Sequence, residues 1–231
     1  MKRNQLHPQN RQYRLAGITM AISTSLGLLA VSMHPSVGKA QSPDAILNQI
    51  AAFAMHDELV HFALIVLLAV IAGCFSVFGD LLDAQRRSVR FGKVAYFFGY
   101  GALTAAMLFD GFVIPIFGRQ FVGANTADMQ TALLVLQAIG VVVQVLTKAG
   151  MAATGMAFIV WAFALHSCAK PFKSAVTYAW VGYAAGIIPI SIIVFMGMTL
   201  GPHNLAIIFA LQAVWNLCVA ALLLQTAASQ S

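Results

Sequence analysis

An all-α integral membrane bundle of six transmembrane helices is the fold the sequence predicts, and three observations carry it. Of 231 residues, 60% are apolar and only 9% carry a formal charge, against about a quarter charged in a soluble domain. A chain of this size has too little interior to hide such an excess from water. The apolar residues also fall into six runs, Leu15–Met33, Leu59–Gly79, Phe91–Ile116, Thr131–Leu165, Ala175–Leu200 and Leu205–Gln225. A helix needs about 20 such residues to cross roughly 30 Å of hydrocarbon. The runs lack the alternation of a barrel strand, so helices must satisfy their own backbone groups there. Third, the basic residues gather in alternate loops. Together these features exclude intrinsic disorder, a secreted disulfide scaffold and a nucleic-acid-binding domain.

Charge placement sets the orientation. Lys2, Arg3, Arg11 and Arg14 precede the first run, Arg86, Arg87, Arg90 and Lys93 follow the second, and Lys170 and Lys173 follow the fourth. These are ten of the 13 basic residues. The opposite loops hold Lys39 and Arg119, and Lys148 lies inside the fourth run. Positive residues stay cytoplasmic, so both termini are expected inside a cell inner membrane, and six crossings require that parity. The expected organisation is a cytoplasmic N-terminus (1–14), a first helix (15–33), an external linker (34–58), the helical bundle (59–225) and a cytoplasmic tail (226–231). The bilayer is the main partner, with a protein subunit or a second copy of the chain beside it, and no nucleic acid.

Each element carries its own signals. The first run has a basic start, and Pro35 and Gly38-Lys39-Ala40 precede Gln41. That pattern fits a signal peptide cleaved after Ala40, which would leave five helices, but the run is longer than the usual core of about 7–15 residues. Within the linker, Asp44–Phe53 places Ala45, Ile46, Ile50 and Phe53 at mostly helical spacing. It reads either as an interfacial helix capped by Asp44 or as a plain connector. Pro115 should disturb the third span just after Asp110-Gly111, and Pro189 should kink the fifth. The fourth run, 35 residues or about 52 Å as a helix, predicts one tilted, projecting helix bent near Gly150 or Gly155. Gly182 and Gly186, like Gly197 and Gly201, form small-residue pairs; the first is expected to pack the fifth span within the bundle. Cys74, Cys168 and Cys218 form no CxxC pair and read as packing residues.

Charges in hydrocarbon cost about 2.5–3.5 kcal/mol each on insertion scales, so their positions point to a site. Measured from the basic end of each span at about 1.5 Å per residue, Asp110 lies about 28 Å up, Lys148 about 26 Å and His61 about 27 Å. Three helices thus deliver polar groups to one level near the outer interface. His34, His56, Asp57, Glu58 and His203 fall at the same end. On a helix Asp57 and His61 share a face, whereas His56 and His61 diverge by about 140°.

Four readings of this cluster stand. Asp110 and Lys148 form a buried ion pair; His61 with His34, His56, Asp57 or His203 holds a metal or haem; Asp110, Lys148 and His61 line an ion or solute path; or the cluster serves an intramembrane hydrolase. No HExxH spacing appears, Ser76 and Ser191 lack an adjacent base in sequence, and no cofactor is required. A non-enzymatic membrane component is therefore expected first, a transporter second and a metal- or haem-dependent protein third. At the basic end, Asp83 is spaced to pair with Arg86 and Arg87 on a helix.

Tyr13-Arg14-Leu15-Ala16-Gly17, an apolar run closing on His34-Pro35, and a second span beginning near His61 form a pattern over roughly the first 80 residues. In this the chain resembles a broad group of small, uncharacterised bacterial multi-spanning inner-membrane proteins. The resemblance implies a bacterial helical bundle and brings no catalytic residues with it.

Overall fold

The computed structural model describes residues 8–35, 42–167, 174–195 and 202–229, with the side chains of 202–204 left out. Among the described residues there is no strand, and six helices are long and apolar enough to cross a membrane. They are α1 (Pro8–Ser32), α2 (Pro43–Leu81), the run α3 (Arg87–Leu108), a π-turn (Phe109–Val113) and α4 (Ile114–Gln120), then α5 (Thr126–His166), α6 (Ala175–Phe195) and α7 (Pro202–Ser229). The proposed cleavage at Ala40, the basic residues Lys2, Arg3, Lys39, Lys170 and Lys173, Cys168, and the Gly197–Gly201 pair lie outside the described residues.

Sequence neighbours are spatial neighbours: α1 packs on α2, α2 on α3, α3 on α5, α5 on α6 and α6 on α7, and α7 closes the ring against α1. Small residues set the closest crossings, as lipid offers no hydrophobic drive for helices to associate. A Cβ on Gly99 would fall 2.7 Å from the Gly150 carbonyl oxygen, and one on Gly155 would fall 2.9 Å from that of Gly186. Gly182 meets Ala162 and Trp215, so the Gly182–Gly186 pair packs inside the bundle as expected.

The connector alternative for Asp44–Phe53 does not hold. That segment is the first part of a 39-residue α2. Its cap is Ser42 rather than Asp44: the Ser42 hydroxyl accepts from the Ala45 N–H at 3.3 Å, and Pro43 occupies the first turn. The fourth span is one 41-residue helix, about 60 Å long, capped by Asn125. At the basic end Asp83 adopts φ 84° and its carboxylate accepts from the Gln85 N–H. The chain turns there instead of continuing as a helix, so the expected Asp83–Arg86 and Asp83–Arg87 pairs do not form. Arg86 donates to the Ala164 carbonyl at 3.3 Å, and Lys93 pairs with Asp80 at 2.7 Å.

The two halves of the ring are filled differently. Toward the basic loops, Phe75 stacks between Trp161 and Phe158, with Tyr96 and Trp215 packed around them. Toward the other end the helices enclose a cavity of about 450 Å³.

Candidate cation site

His34, Asp57, His61 and Asp110 come together at the mouth of that cavity. Three elements supply them: the end of α1, one turn of α2, and the π-turn after α3. Asp57 and His61 share a face of α2, as their spacing requires. Asp110 is aimed by Pro115. Proline lacks the N–H that would bond the Gly111 carbonyl four residues back, and its ring crowds that carbonyl. The helix absorbs this as a π-turn in which the Ile114 N–H bonds to Phe109 O, and such insertions re-aim side chains. Gly111 then faces the His61 ring so closely that any side chain there would occupy the imidazole's place.

Both imidazoles are fixed by backbone carbonyls. His34 Nδ1 lies 2.7 Å from Pro35 O, and His61 Nδ1 lies 2.9 Å from Asp57 O. A carbonyl can only accept, so each Nδ1 carries a proton, and in the neutral ring each Nε2 presents a lone pair. Those lone pairs face carboxylates. His61 Nε2 is 3.4 Å from Asp110 Oδ2, and His34 Nε2 is 3.8 Å from the same oxygen and 3.6 Å from Asp57 Oδ1. Asp57 Oδ1 is also 3.1 Å from His61 Nδ1. That N–H is turned to the Asp57 carbonyl, however, and Oδ1 stays buried without a hydrogen bond.

Donor atoms of His34, Asp57 and His61 all lie within 4.8 Å of one another. In tetrahedral zinc sites, with ligand distances near 2.0–2.1 Å, donors stand about 3.3 Å apart, and the 3.6 Å between His34 Nε2 and Asp57 Oδ1 and the 3.4 Å between His61 Nε2 and Asp110 Oδ2 are close to that. The bonds from Nδ1 to carbonyl oxygen are the outer-sphere contacts that orient metal-binding histidines. A bis-histidine haem does not fit. The His34 and His61 rings touch edge to face with centroids 4.9 Å apart, whereas axial ligands stand on opposite sides of a porphyrin.

The remaining sequence candidates fall elsewhere. Lys148 does not pair with Asp110, whose ion-pair partners among the described residues are His34 and His61. Helix α5 packs against α3 through Gly150 and Thr154 and turns Thr147 to the cavity wall, and Lys148 is rotated about 100° from Thr147 onto the flank of the exposed Val141 and Val145. His56 supports the cluster from outside it: its Nε2 donates to the Met33 carbonyl at 2.8 Å and so holds the end of α1 on α2. Glu58 pairs with Arg119 and ties α4 to α2. His203 begins α7, and its side chain lies outside the described residues. Sequence reasoning missed Gln144 and Thr147 in the cavity wall, although both are polar interruptions of an apolar run. No protein-family model, curated protein or solved structure matches the chain.

Proposed function

We propose that the chain is a multi-pass, non-enzymatic component of a bacterial inner membrane that captures a divalent transition-metal ion at its outer end. One observation carries this: two imidazoles whose Nδ1 protons are committed to carbonyls, so that their Nε2 atoms face two carboxylates at 3.4–3.8 Å. With both rings neutral, repulsion acts between the Nε2 lone pairs and the carboxylates. A cation among them turns it into attraction. The mixed imidazole and carboxylate set suits zinc and its first-row neighbours better than magnesium or calcium.

Placement in an inner membrane draws on the basic loops, which belong in the cytoplasm, and on the resemblance of the N-terminal third. Capture rather than passage is supported by what lies beneath: the cavities under the site end on Tyr96 and Phe158 of the aromatic cluster.

Equilibrium dialysis of the purified protein against Zn²⁺ tests the reading. One ion per chain is expected, with His61→Ala and Asp57→Asn each weakening binding by about 100-fold or more, since even outer-sphere partners are worth 10–100-fold. No stoichiometric binding by wild type, or equal binding by both variants, would refute it.

A further inference from the structure

Two adjoining chambers lie below the site. The upper, about 450 Å³, falls in the range of small-molecule pockets and is walled mainly by apolar side chains. The lower, about 70 Å³, is lined by Thr24, Thr154, Gln212 and Asn216 above Tyr96 and Phe158. Val31, Leu64, Leu68, Leu103 and Phe209 border both and form an apolar waist.

The lower chamber is polar without being satisfied. Thr24 Oγ and Asn216 Oδ1 have no hydrogen-bond partner, although the two residues are only 3% and 9% exposed. Buried oxygens of this kind call for an occupant that hydrogen-bonds to them. Water could fill the lower chamber, whereas the mainly apolar wall of the upper one suits an alkyl chain. A single elongated molecule satisfies both. Along α1, His34 and Thr24 are ten residues apart, about 15 Å of helix.

We propose that the two chambers form one blind pocket for a linear aliphatic carboxylate bearing a hydroxyl at its far end. This rests on the metal reading above: the carboxylate head completes the coordination of the bound ion. Asp110, the most exposed of the four at 39%, is the ligand that yields to it. One carboxylate then replaces another in the coordination shell, and the displaced Asp110 carries its charge to the exposed mouth of the cavity. The alkyl body passes the waist, and the hydroxyl donates to Thr24 Oγ beside Asn216.

Two wall positions make this testable without disturbing the fold. Gly140 lines the upper chamber, and a Cβ built on it meets nothing within 4 Å, so Gly140→Phe can fill space without a clash. Thr24→Val removes the hydroxyl at nearly constant shape. The experiment is calorimetric titration of Zn²⁺-loaded, full-length protein in lipid nanodiscs with 10-hydroxydecanoate and with decanoate. Wild type is expected to bind the hydroxy acid about fivefold more tightly, the worth of one neutral hydrogen bond. Thr24→Val should erase that preference. Gly140→Phe should weaken both acids by about tenfold or more by filling the chamber, with one Zn²⁺ per chain retained. The proposal is overturned if Zn²⁺ binds but neither acid does, or if Gly140→Phe leaves both affinities unchanged. A wild type that takes up no Zn²⁺ refutes the metal reading itself, and the carboxylate head with it.

Discussion

The half of the bundle beside the basic loops and the half beside the histidines are built from the same ring of helices yet are filled in opposite ways. In the first, Phe75 lies 5.0 Å from Trp161 at an interplanar angle of 15°, and Trp161 and Trp215 are fully enclosed. In the second, the same α1, α2, α3 and α7 surround a cavity, and four ionisable side chains stand at its mouth. The difference separates two tasks. Aromatic packing holds the helices in register at one end. At the other end the structure leaves an Asp57 carboxylate oxygen buried without a hydrogen bond, which costs stability unless a ligand supplies one. Sites that break the rules of good packing are where function is expected.

Substitutions can break that comparison or sharpen it. The largest expected effect is on the packed half. Trp161→Ala removes a ring stacked on Phe75 and the bond from Nε1 to Val89 O, and should cost about 3–5 kcal/mol, read as a large drop in the thermal midpoint in detergent. Leu64→Ala, in the cavity wall, should cost about 1 kcal/mol or less because the side chain already borders a void. Equal losses in the two variants would erase the distinction between the halves.

On the other side of the comparison, Asp57→Asn should raise the stability of the metal-free protein, because it replaces a buried carboxylate oxygen that has no hydrogen bond. Zn²⁺ should stabilise wild type and not this variant. Differential scanning with and without Zn²⁺ gives both comparisons. His56→Ala frees the Met33 carbonyl and loosens the end of α1 that carries His34. A metal affinity weakened by about tenfold is expected, since His56 acts only by positioning. The smallest effect belongs to Lys148→Met: Zn²⁺ affinity unchanged and stability equal or slightly higher, because the lysine meets neither Asp110 nor the site. A loss of metal binding in Lys148→Met would return Lys148 to the cluster.

Much of this was legible in the sequence. Run length and charge placement marked the six helices, and rise per residue brought His61 and Asp110 to one level, where they meet at 3.4 Å. The same arithmetic failed for Lys148 because depth along a helix says nothing of the direction a side chain points. That direction is set by the face α5 offers to α3, and the face depends on close approach at Gly99 and Gly150. Pro115 announced a disturbance after Asp110 without saying that it would be a π-turn. The carbonyl bonds that fix both Nδ1 atoms depend on side-chain rotamers and on the backbone at His34-Pro35, and residue spacing carries no signal for either. In the lower chamber, Gln212 and Asn216 four residues apart on an apolar helix were the available clue.

The most direct test of the central claim is the zinc K-edge X-ray absorption spectrum of protein reconstituted with one Zn²⁺ per chain. The proposed site requires imidazole scattering from two histidines, with oxygen donors completing the shell at distances near 2.0–2.1 Å, and loss of one imidazole in His61→Ala. A spectrum without imidazole scattering, or one that is the same in wild type and in the His34→Ala, His61→Ala double variant, would contradict the assignment.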